Sequence, residues 1–338
     1  MTSLQGSPQA GRSPPRFNRN VLDLDCTSTV QAIEEFIRRT VGRQLHRRGA
    51  VVAVSGGVDS AVCVTLAVRA LGPQRVLALL LPDRDSPPAG TARAQALCEA
   101  LGVPHQLEDI TPALEALGCY GRRDEAIRHL FPDYVEDCRQ KIAVADDLLG
   151  SNRMSYFNLI VQWSDGRQEK RRMPLETYLQ VVAATNMKQR TRKLLECYHA
   201  ERLNYAVVGT PNRLEYELGF FVRGGDGLAD FKPIAHLYKS QIYALAEHLG
   251  VPAEIRQQPP STDTYSLPQT QEEFYFALPY EQTDLLLWAL RHGVSAGEAG
   301  TAVGLTAEQV DRVYHDMEAK RRAAALLHQA AVVMVNAT

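Results

Sequence analysis

The short segment SGGVDS contains the residue types that can hold a phosphate group. An apolar run, VVAV, precedes it and a helical pattern follows, so backbone N–H groups at the helix N-terminus are predicted to face outward and to bind an anion. Gly56 and Gly57 would allow close approach of the backbone to phosphate oxygens, while Ser55 and Ser60 would add hydroxyl donors. Asp59 could hold a magnesium ion against the same phosphate. The segment therefore predicts a phosphate and magnesium site.

The glycine spacing differs from two common phosphate-binding patterns. The Walker pattern GxxxxGK[ST] requires a lysine that this segment lacks, and GxGxxG requires a third glycine. A strand, then SGGxDS, then a helix resembles the pyrophosphate loop of ATP pyrophosphatases, enzymes that cleave ATP between the α and β phosphates. The alternative is a Gly-Ser turn that joins a strand to a helix and binds nothing.

Apolar strand candidates alternate with helical patterns along most of the chain. The candidates are VVAV, RVLALLLP, HQLEDI and YAVVG, and the helical patterns include residues 175–201 and 239–250. This alternation predicts an α/β fold, a doubly wound parallel sheet with helices on both faces. Ligands of such sheets bind at the carboxyl ends of the strands, where SGGVDS lies.

Composition predicts how the chain is divided. Residues 1–20, rich in Gly, Pro and Ser, predict a disordered tail. Residues 21–290 carry the strand and helix alternation, interrupted at about 119–175 by a charged and aromatic insertion in which SYFNLIVQW followed by SDG predicts a β-hairpin. Residues 291–338 predict a C-terminal helical extension. A helix-turn-helix would give a similar pattern, but a helical cap on an enzyme core gives it too and is favoured because the pI is not basic.

Charge and cysteine spacing narrow the function classes. The formal net charge of -2 indicates neither a nucleic-acid nor a membrane-surface partner. The sequence contains no run of about 18 apolar residues, so no membrane-spanning helix is predicted. The six cysteines form no CxxC pair, which favours reduced thiols. With no apolar signal-peptide core near the start, these features predict a cytoplasmic protein.

Further motifs follow SGGVDS in a fixed order. They are ATNMKQRTR, GT followed by a glutamate, GFF, GDGxxD, PIxxLxKxQxYxLAxxLGVP and PSTD. Together they resemble ammonia-dependent NAD synthetases, members of the ATP pyrophosphatase superfamily, over most of residues 30–290. The resemblance implies the adenine nucleotide alpha hydrolase-like form of the α/β fold.

The resemblance also implies a role for individual residues. Asp59 and Glu215 would hold Mg²⁺, and Asp59, Lys239 and Ser261 would be catalytic. ATP would contact Ser55, Gly56, Gly57, Asp59, Ser60, Thr210, Lys239 and Ser261. The acyl substrate would contact Asn186, Arg190, Phe220, Arg223, Asp226 and Asp230, with Arg223 where the family often has lysine. Independently, Lys239 begins a predicted helix, where a cation is poorly placed unless an anion lies nearby.

The resemblance implies a two-step ligase reaction. ATP adenylates the carboxylate of nicotinic acid adenine dinucleotide, and ammonia then displaces AMP to form the amide. The implied cofactors are ATP and Mg²⁺, the implied assembly is a homodimer, and the ammonia would come free or from a separate glutaminase.

Several departures from the family pattern keep alternatives open. Pro211 follows GT, Gly224 replaces a usual tyrosine, Leu228 replaces a glycine, and the insertion has no obvious counterpart. Changes near the acyl site can redirect substrate choice without affecting adenylation. One alternative is therefore an amide ligase for a different carboxylate, and another is a non-catalytic nucleotide-binding protein.

Overall fold

The computed structural model describes residues 17–144, 149, 156–261 and 264–334. The strands are β1 (Ala50–Ala53), β2 (Val76–Leu80), β3 (His105–Leu107), β4 (Arg139–Val144), β5 (Phe157–Gln162), β6 (Gln168–Arg172) and β7 (Ala206–Val207). The helices are α1 (Cys26–Arg39), α2 (Val58–Leu71), α3 (Pro88–Ala100), α4 (Thr111–Ala116), α5 (Cys119–Arg128), α6 (Leu175–Leu203), α7 (Arg213–Leu218), α8 (Lys239–His248), α9 (Ala253–Arg256), α10 (Tyr280–Arg291), α11 (Ala296–Val303) and α12 (Ala307–His328).

Four parallel strands form the central sheet in the order β3-β2-β1-β7. In this sheet β1 pairs with β2 in the register Val52↔Ala78 and with β7 in the register Val51↔Val207. Alternate residues of a strand point to opposite faces. Ala50 and Val52 pack with α1, α2, α3 and α8, whereas Val51 packs with α4, α5 and α6. Helices therefore cover both faces, and the predicted doubly wound α/β fold is confirmed.

Polar segments from three strands meet at the carboxyl edge of this sheet. The segment 54–57 joins β1 to α2, Asp83 follows β2, and Thr210 follows β7. Because the strands are parallel, these segments lie on the same side of the sheet. The fold thus brings together residues that are more than 150 positions apart in the sequence.

The predicted hairpin is present and belongs to a larger antiparallel sheet. β5 pairs with β6 in the register Asn158↔Arg172, and β4 adds a third strand on the other side of β5. Leu159 and Val161 are fully buried in the core of this sheet. The proposed insertion also includes α5 near its N-terminal end. This helix packs against α6 on one face of the central sheet.

The C-terminal helices share a core with the start of the described chain. Phe17 is 7% exposed, and its ring stacks on Trp288 of α10 with a centroid distance of 5.8 Å. Of the predicted tail, 1–20, residues 1–16 lie outside the described part of the chain. Residues 17–20 are held by this contact and by a 3-10 turn, Arg19–Leu22. Across the described ranges, no helix is long and apolar enough to cross a membrane.

A buried cluster of charges holds the edge of the sheet to the surrounding helices. Lys188 of α6 is fully buried, and its Nζ donates to Asp83 Oδ1 at 3.1 Å, to Asp85 Oδ2 at 2.6 Å and to the Thr264 carbonyl at 3.0 Å. Arg123 of α5 also donates to Asp85 Oδ2, at 2.6 Å. These bonds fix the segment after β2 and the loop around residue 264 relative to α5 and α6.

The Lys188→Met variant should be strongly destabilised. Loss of the ammonium removes one of two cationic partners from each buried carboxylate, since Arg192 still contacts Asp83 and Arg123 still contacts Asp85. Breaking a buried ion pair typically costs up to about 3–5 kcal/mol. Urea unfolding of the full chain would measure the loss. Lys170→Met removes an exposed lysine of β6 and should change stability by less than about 0.5 kcal/mol. Equal stability of the two variants would show that the buried charges do not hold this edge together.

Candidate active site

The SGGVDS loop forms a compact turn at the N-terminus of α2. Ser55 Oγ and Ser60 Oγ lie 3.3 Å apart, and Ser60 Oγ donates to the Gly57 carbonyl at 3.0 Å. Gly57 is the N-cap residue of α2, and among the described residues no side chain caps this helix. The backbone N–H groups of its first turn are therefore suited to an anionic ligand.

The two glycines of the loop have different structural requirements. Gly56 has a φ of +86°, and a Cβ atom there would lie 2.2 Å from the Gly90 carbonyl oxygen of α3. At Gly57 a Cβ atom would come no closer than 3.4 Å to its nearest neighbour, Ser55 Oγ. Packing of the protein itself thus requires Gly56, whereas Gly57 leaves open space that a phosphate oxygen could approach.

A buried ion pair joins Asp59 in the first turn of α2 to Lys239 at the start of α8. Lys239 Nζ contacts Asp59 Oδ2, and Asn212 Nδ2 donates to Asp59 Oδ1 at 3.1 Å. Lys239 is only 2% exposed. Burial disfavours its charged form, but Asp59 and Glu215 outweigh that effect and raise its pKa to about 12. Lys239 is therefore a fixed positive charge at neutral pH.

Glu215 supplies a second carboxylate close to this ion pair. Its Oε2 accepts from the Asn212 backbone N–H at 3.1 Å, its own N–H donates to Asn212 Oδ1 at 3.2 Å, and Gln271 Nε2 donates to its Oε1 at 3.0 Å. Burial and the nearby Asp59 raise the pKa of Glu215 to about 8. The charge of Asp59 thus opposes ionisation of Glu215, and a divalent cation would relieve this repulsion.

The donor set at Asp59 and Glu215 fits magnesium. Mg²⁺ is usually held by one or two carboxylates, with water and substrate phosphates completing its octahedral shell. Over the described part of the chain, no group of three or more His, Cys, Asp or Glu side chains could enclose a metal. A metal held by Asp59 and Glu215 would complete its shell with water and phosphate oxygens.

Asp284 explains why a lysine is tolerated at the start of α8. This carboxylate of α10 is fully buried and accepts from the backbone N–H groups of Lys239 at 3.1 Å and Ser240 at 2.7 Å. Burial raises the pKa of Asp284 to about 6, against the opposing effect of these hydrogen bonds. Together with Asp59, it supplies the anionic environment that the lysine position requires.

Three residues of this arrangement were missed by the sequence prediction: Asn212, Gln271 and Asp284. The first had a detectable signal, because N-R-L-E has the spacing of a capping box and Asn212 forms one with Glu215. Gln271 and Asp284 come from distant segments and had none.

The remaining nucleotide candidates lie near this group. Thr210 is half-buried in the segment that follows β7. Ser261 is exposed, forms a β-bridge with Thr270 and lines a cleft of about 710 Å³. The same cleft is lined by Pro87 and Pro88 at the start of α3, the helix on which Gly56 packs. The cleft therefore lies close to the SGGVDS loop.

Two of the predicted acyl-substrate residues are carboxylates that hold the loop 222–230 in place, one within the loop and the other to β7. Asp226 Oδ1 accepts from the Val222 N–H at 2.7 Å, and Asp230 Oδ2 accepts from the Val207 N–H at 2.8 Å. Burial raises the pKa of Asp226. Gly227 packs so closely on Phe221 that a Cβ atom would lie 2.4 Å from that ring. Contacts within the loop thus explain the aspartate and the second glycine of the GDG sequence.

The other acyl candidates lie on α6 and after α7. Arg190 and Arg223 are exposed, and Arg190 Nε donates to the Arg223 carbonyl at 3.3 Å. Asn186 is half-buried one turn before Arg190. The Phe220 ring packs against the rings of Phe274, Tyr275 and Phe276, at centroid distances of 5.0–5.8 Å. Its N–H donates to the Glu215 carbonyl at 2.9 Å, which links this group to the carboxylate site.

Comparison with known proteins gives consistent similarities. The family model described as NAD synthase matches residues 29–130 and 130–324. An NH(3)-dependent NAD(+) synthetase of Rhizobium meliloti (strain 1021) is 53% identical over 312 residues, covering 92% of this chain and 93% of that protein. One from Thermotoga neapolitana is 37% identical, covering 78% and 84%.

Solved structures support the fold. The NH3-dependent NAD synthetase from Campylobacter jejuni superposes with a TM-score of 0.60 at 22% identity, covering 92% of this chain and all of that chain. A structure described as NMN synthetase from Francisella tularensis gives the same TM-score and identity, covering 92% and 99%. Likeness at this level of identity concerns the fold alone.

Alanine at the two loop glycines should have opposite effects. Gly56→Ala should destabilise the protein by about 1–3 kcal/mol, since φ is positive and the Gly90 carbonyl blocks the methyl group. Gly57→Ala should change stability by less than about 1 kcal/mol but weaken ATP binding about tenfold or more by obstructing the approach of phosphate. Thermal unfolding and ATP titration of both variants would test this. Normal ATP affinity in Gly57→Ala would exclude phosphate contact at that residue.

Proposed function

The chain belongs to the NAD synthase family, and on that basis we propose that it converts nicotinic acid adenine dinucleotide to NAD with ATP and ammonia. As a member of this family, the chain is an ATP-dependent ligase. The observation that most favours the proposed reaction is the group Asp59, Glu215 and Lys239 at the N-terminus of α2. Carboxylates for a cation, a fixed ammonium and free backbone N–H groups suit a triphosphate.

In the first step, the protein binds and orients ATP. The N–H groups at the start of α2 and the Ser55 and Ser60 hydroxyls would hold phosphate oxygens. Lys239 stays protonated, so it would neutralise charge on the departing pyrophosphate without donating a proton. When bound by Asp59 and Glu215, Mg²⁺ would screen the remaining phosphate charge. Ser261 is proposed to contact the phosphates from the cleft wall.

The chemistry needs no side-chain nucleophile. A carboxylate oxygen of the substrate attacks the α phosphorus, and the bond to the bridging oxygen of pyrophosphate breaks. Ammonia then attacks the activated carbonyl carbon, and AMP leaves. Cys63 lies one helical turn after Asp59, but it is fully buried and burial raises the pKa of its thiol well above the usual value, so it is not poised for attack. Positioning and charge stabilisation carry the reaction.

The acyl substrate is proposed to lie along the loop that contains Asp226 and Asp230, with Asn186 and Arg190 of α6 and Arg223 beside it. Phe220 would complete this site from the end of α7. Departures from the family pattern at Gly224 and Leu228 fall at exposed positions of the same loop. They favour a second candidate, an amide ligase that accepts a different carboxylate.

The structure offers a surface for the proposed homodimer. Leu175 and Leu179 form one i, i+4 pair on α6, and Leu194 and Tyr198 form another, each side chain more than half exposed. Exposed apolar side chains grouped on one helix favour a protein interface. Because Arg190 lies between these pairs, a second copy packed on α6 would approach the acyl site.

Two further proposals concern the cellular context. All six cysteines are free thiols, which favours a reducing compartment such as the cytoplasm. Ammonia would be taken up free or received from a separate glutaminase.

Pyrophosphate release would test the reaction directly. The purified protein with ATP, Mg²⁺ and ammonium should release pyrophosphate and form NAD when nicotinic acid adenine dinucleotide is added. Asp59→Ala should reduce the rate by about 10²–10³-fold or more, because it removes a metal ligand and the partner of Lys239. Asp133→Ala, at an exposed position, is the control. Release with another carboxylate alone would favour the second candidate, and ATP binding without any release would favour a non-catalytic role.

The dimer surface can be tested by charge substitution. Leu179→Asp and Leu194→Asp should each give a monomer by light scattering after gel filtration, since a carboxylate at an apolar interface is costly to desolvate. Leu117→Asp, at a similarly exposed leucine outside α6, should leave the assembly unchanged. A wild-type monomer, or dimers in both α6 variants, would exclude this interface.

A further inference from the structure

Lys232 lies between the nucleotide candidates and the acyl loop. Phe231 before it pairs with Val208 at the end of β7, and the Gly209 N–H donates to the Phe231 carbonyl at 2.8 Å. A Cβ atom on Gly209 would lie 2.8 Å from Lys232 Cγ, so the lysine stem rests directly on the glycine that precedes Thr210. The side chain is thus held against the carboxyl edge of the sheet.

Within the described part of the chain, no carboxylate forms an ion pair with the ammonium of Lys232. It is half-buried, and among the described residues its contact is the ring of Tyr216, whose centroid lies 5.6 Å from Nζ. Exposed lysines usually need no partner, but a partly desolvated ammonium is unfavourable without one. The aromatic face offsets only part of that cost.

Neighbouring charges increase the need for an anion. Burial lowers the pKa of Lys232, and the nearby Lys193 lowers it further, against the opposite effect of Asp226. Lys193 Nζ is bonded to Glu196 at 2.6 Å, and Asp226 is bonded to the Val222 N–H. Among the described residues neither carboxylate forms an ion pair with Lys232, and the nearby charge of Lys193 disfavours a second ammonium there.

We propose that Lys232 binds the negatively charged group of the acyl substrate, a carboxylate or a phosphate, where the acyl loop meets the nucleotide site. An incoming anion would relieve the repulsion between the two lysines and form a charge-assisted hydrogen bond. This inference rests on the proposed function insofar as it requires an acyl substrate at residues 222–230. It adds to that function a residue outside the family motifs that would help determine the substrate.

Steady-state kinetics of Lys232→Met would test the inference. The methionine keeps most of the volume and removes the charge, so the KM for nicotinic acid adenine dinucleotide should rise about 10–100-fold while the KM for ATP changes little. Lys232→Arg retains the charge and should recover most of the loss. Lys170→Met, at the exposed lysine of β6, should match wild type. An unchanged KM, or an equal rise in both KM values, would overturn the inference.

Thermal unfolding separates a binding role from a structural one. Because the ammonium lacks an anionic partner among the described residues, Lys232→Met should have a melting temperature equal to or higher than that of wild type. A lower melting temperature, or failure to fold, would assign Lys232 a structural role and overturn the inference.

The amide product identifies which anion is bound. If Lys232 holds the carboxylate, Lys232→Met should weaken binding of the acid dinucleotide but not of NAD, which carries the amide. If it holds a phosphate, binding of both dinucleotides should weaken equally. Either pattern supports the inference, and unchanged binding of both overturns it.

Binding measured by thermal shift also separates this inference from the proposed function. Wild-type protein that binds the acid dinucleotide without turnover would contradict the proposed function. A comparison of its binding with that of Lys232→Met would still test the inference. If wild type turns over another carboxylate instead, the same variants are compared with that compound, and an unchanged KM in Lys232→Met would overturn the inference.

Discussion

The contact between Lys239 and Asp59 is the interaction on which the site depends. It joins the first turns of α2 and α8, while Asn212 connects the same aspartate to α7. A buried ammonium is unfavourable by itself, and here Asp59, Glu215 and the Asp284 carboxylate behind its backbone compensate it. The same charges that make the lysine tolerable in the folded protein create a site of mixed sign suited to a metal–triphosphate complex.

The central sheet explains why these residues meet. Its parallel strands end at one edge, and β1 and β7 lie side by side although they are far apart in the chain. Burial on both faces leaves little freedom for the strands to shift. A slip by one residue would turn each strand side chain from one helical layer to the other. The rigid edge places α2 and α7 so that Asp59 and Asn212 come within 3.1 Å.

The second sheet and the loop after α9 complete the surroundings of the site. Gln140 of β4 and Ser266 are joined by a hydrogen bond of 2.8 Å, and Lys188 holds the Thr264 carbonyl. Gln271, farther along the same segment, donates to Glu215. Ser261 therefore lies on a segment held by contacts to the second sheet, α6 and the carboxylate site. These contacts are a physical reason for the proposed insertion to matter to the cleft.

Sequence by itself determined the α/β class, the hairpin and the positions of α2, α6 and α8, because apolar periodicity and glycine placement are local properties. Ordered motifs also identified the family, and they singled out Asp59, Glu215 and Lys239, whose roles stay predictions. The third strand of the second sheet and the helix α5 as part of the core were not predicted, since pairing and packing partners are not encoded in local pattern.

Only the tertiary structure decided which polar groups share a hydrogen bond. It assigned Gly56 to packing against Gly90, placed Asp284 behind Lys239 and, as far as the described residues go, left Lys232 without an anionic partner. Such relations depend on distances between segments that lie far apart in the sequence, and a side chain's charge environment exists only once those segments are folded together.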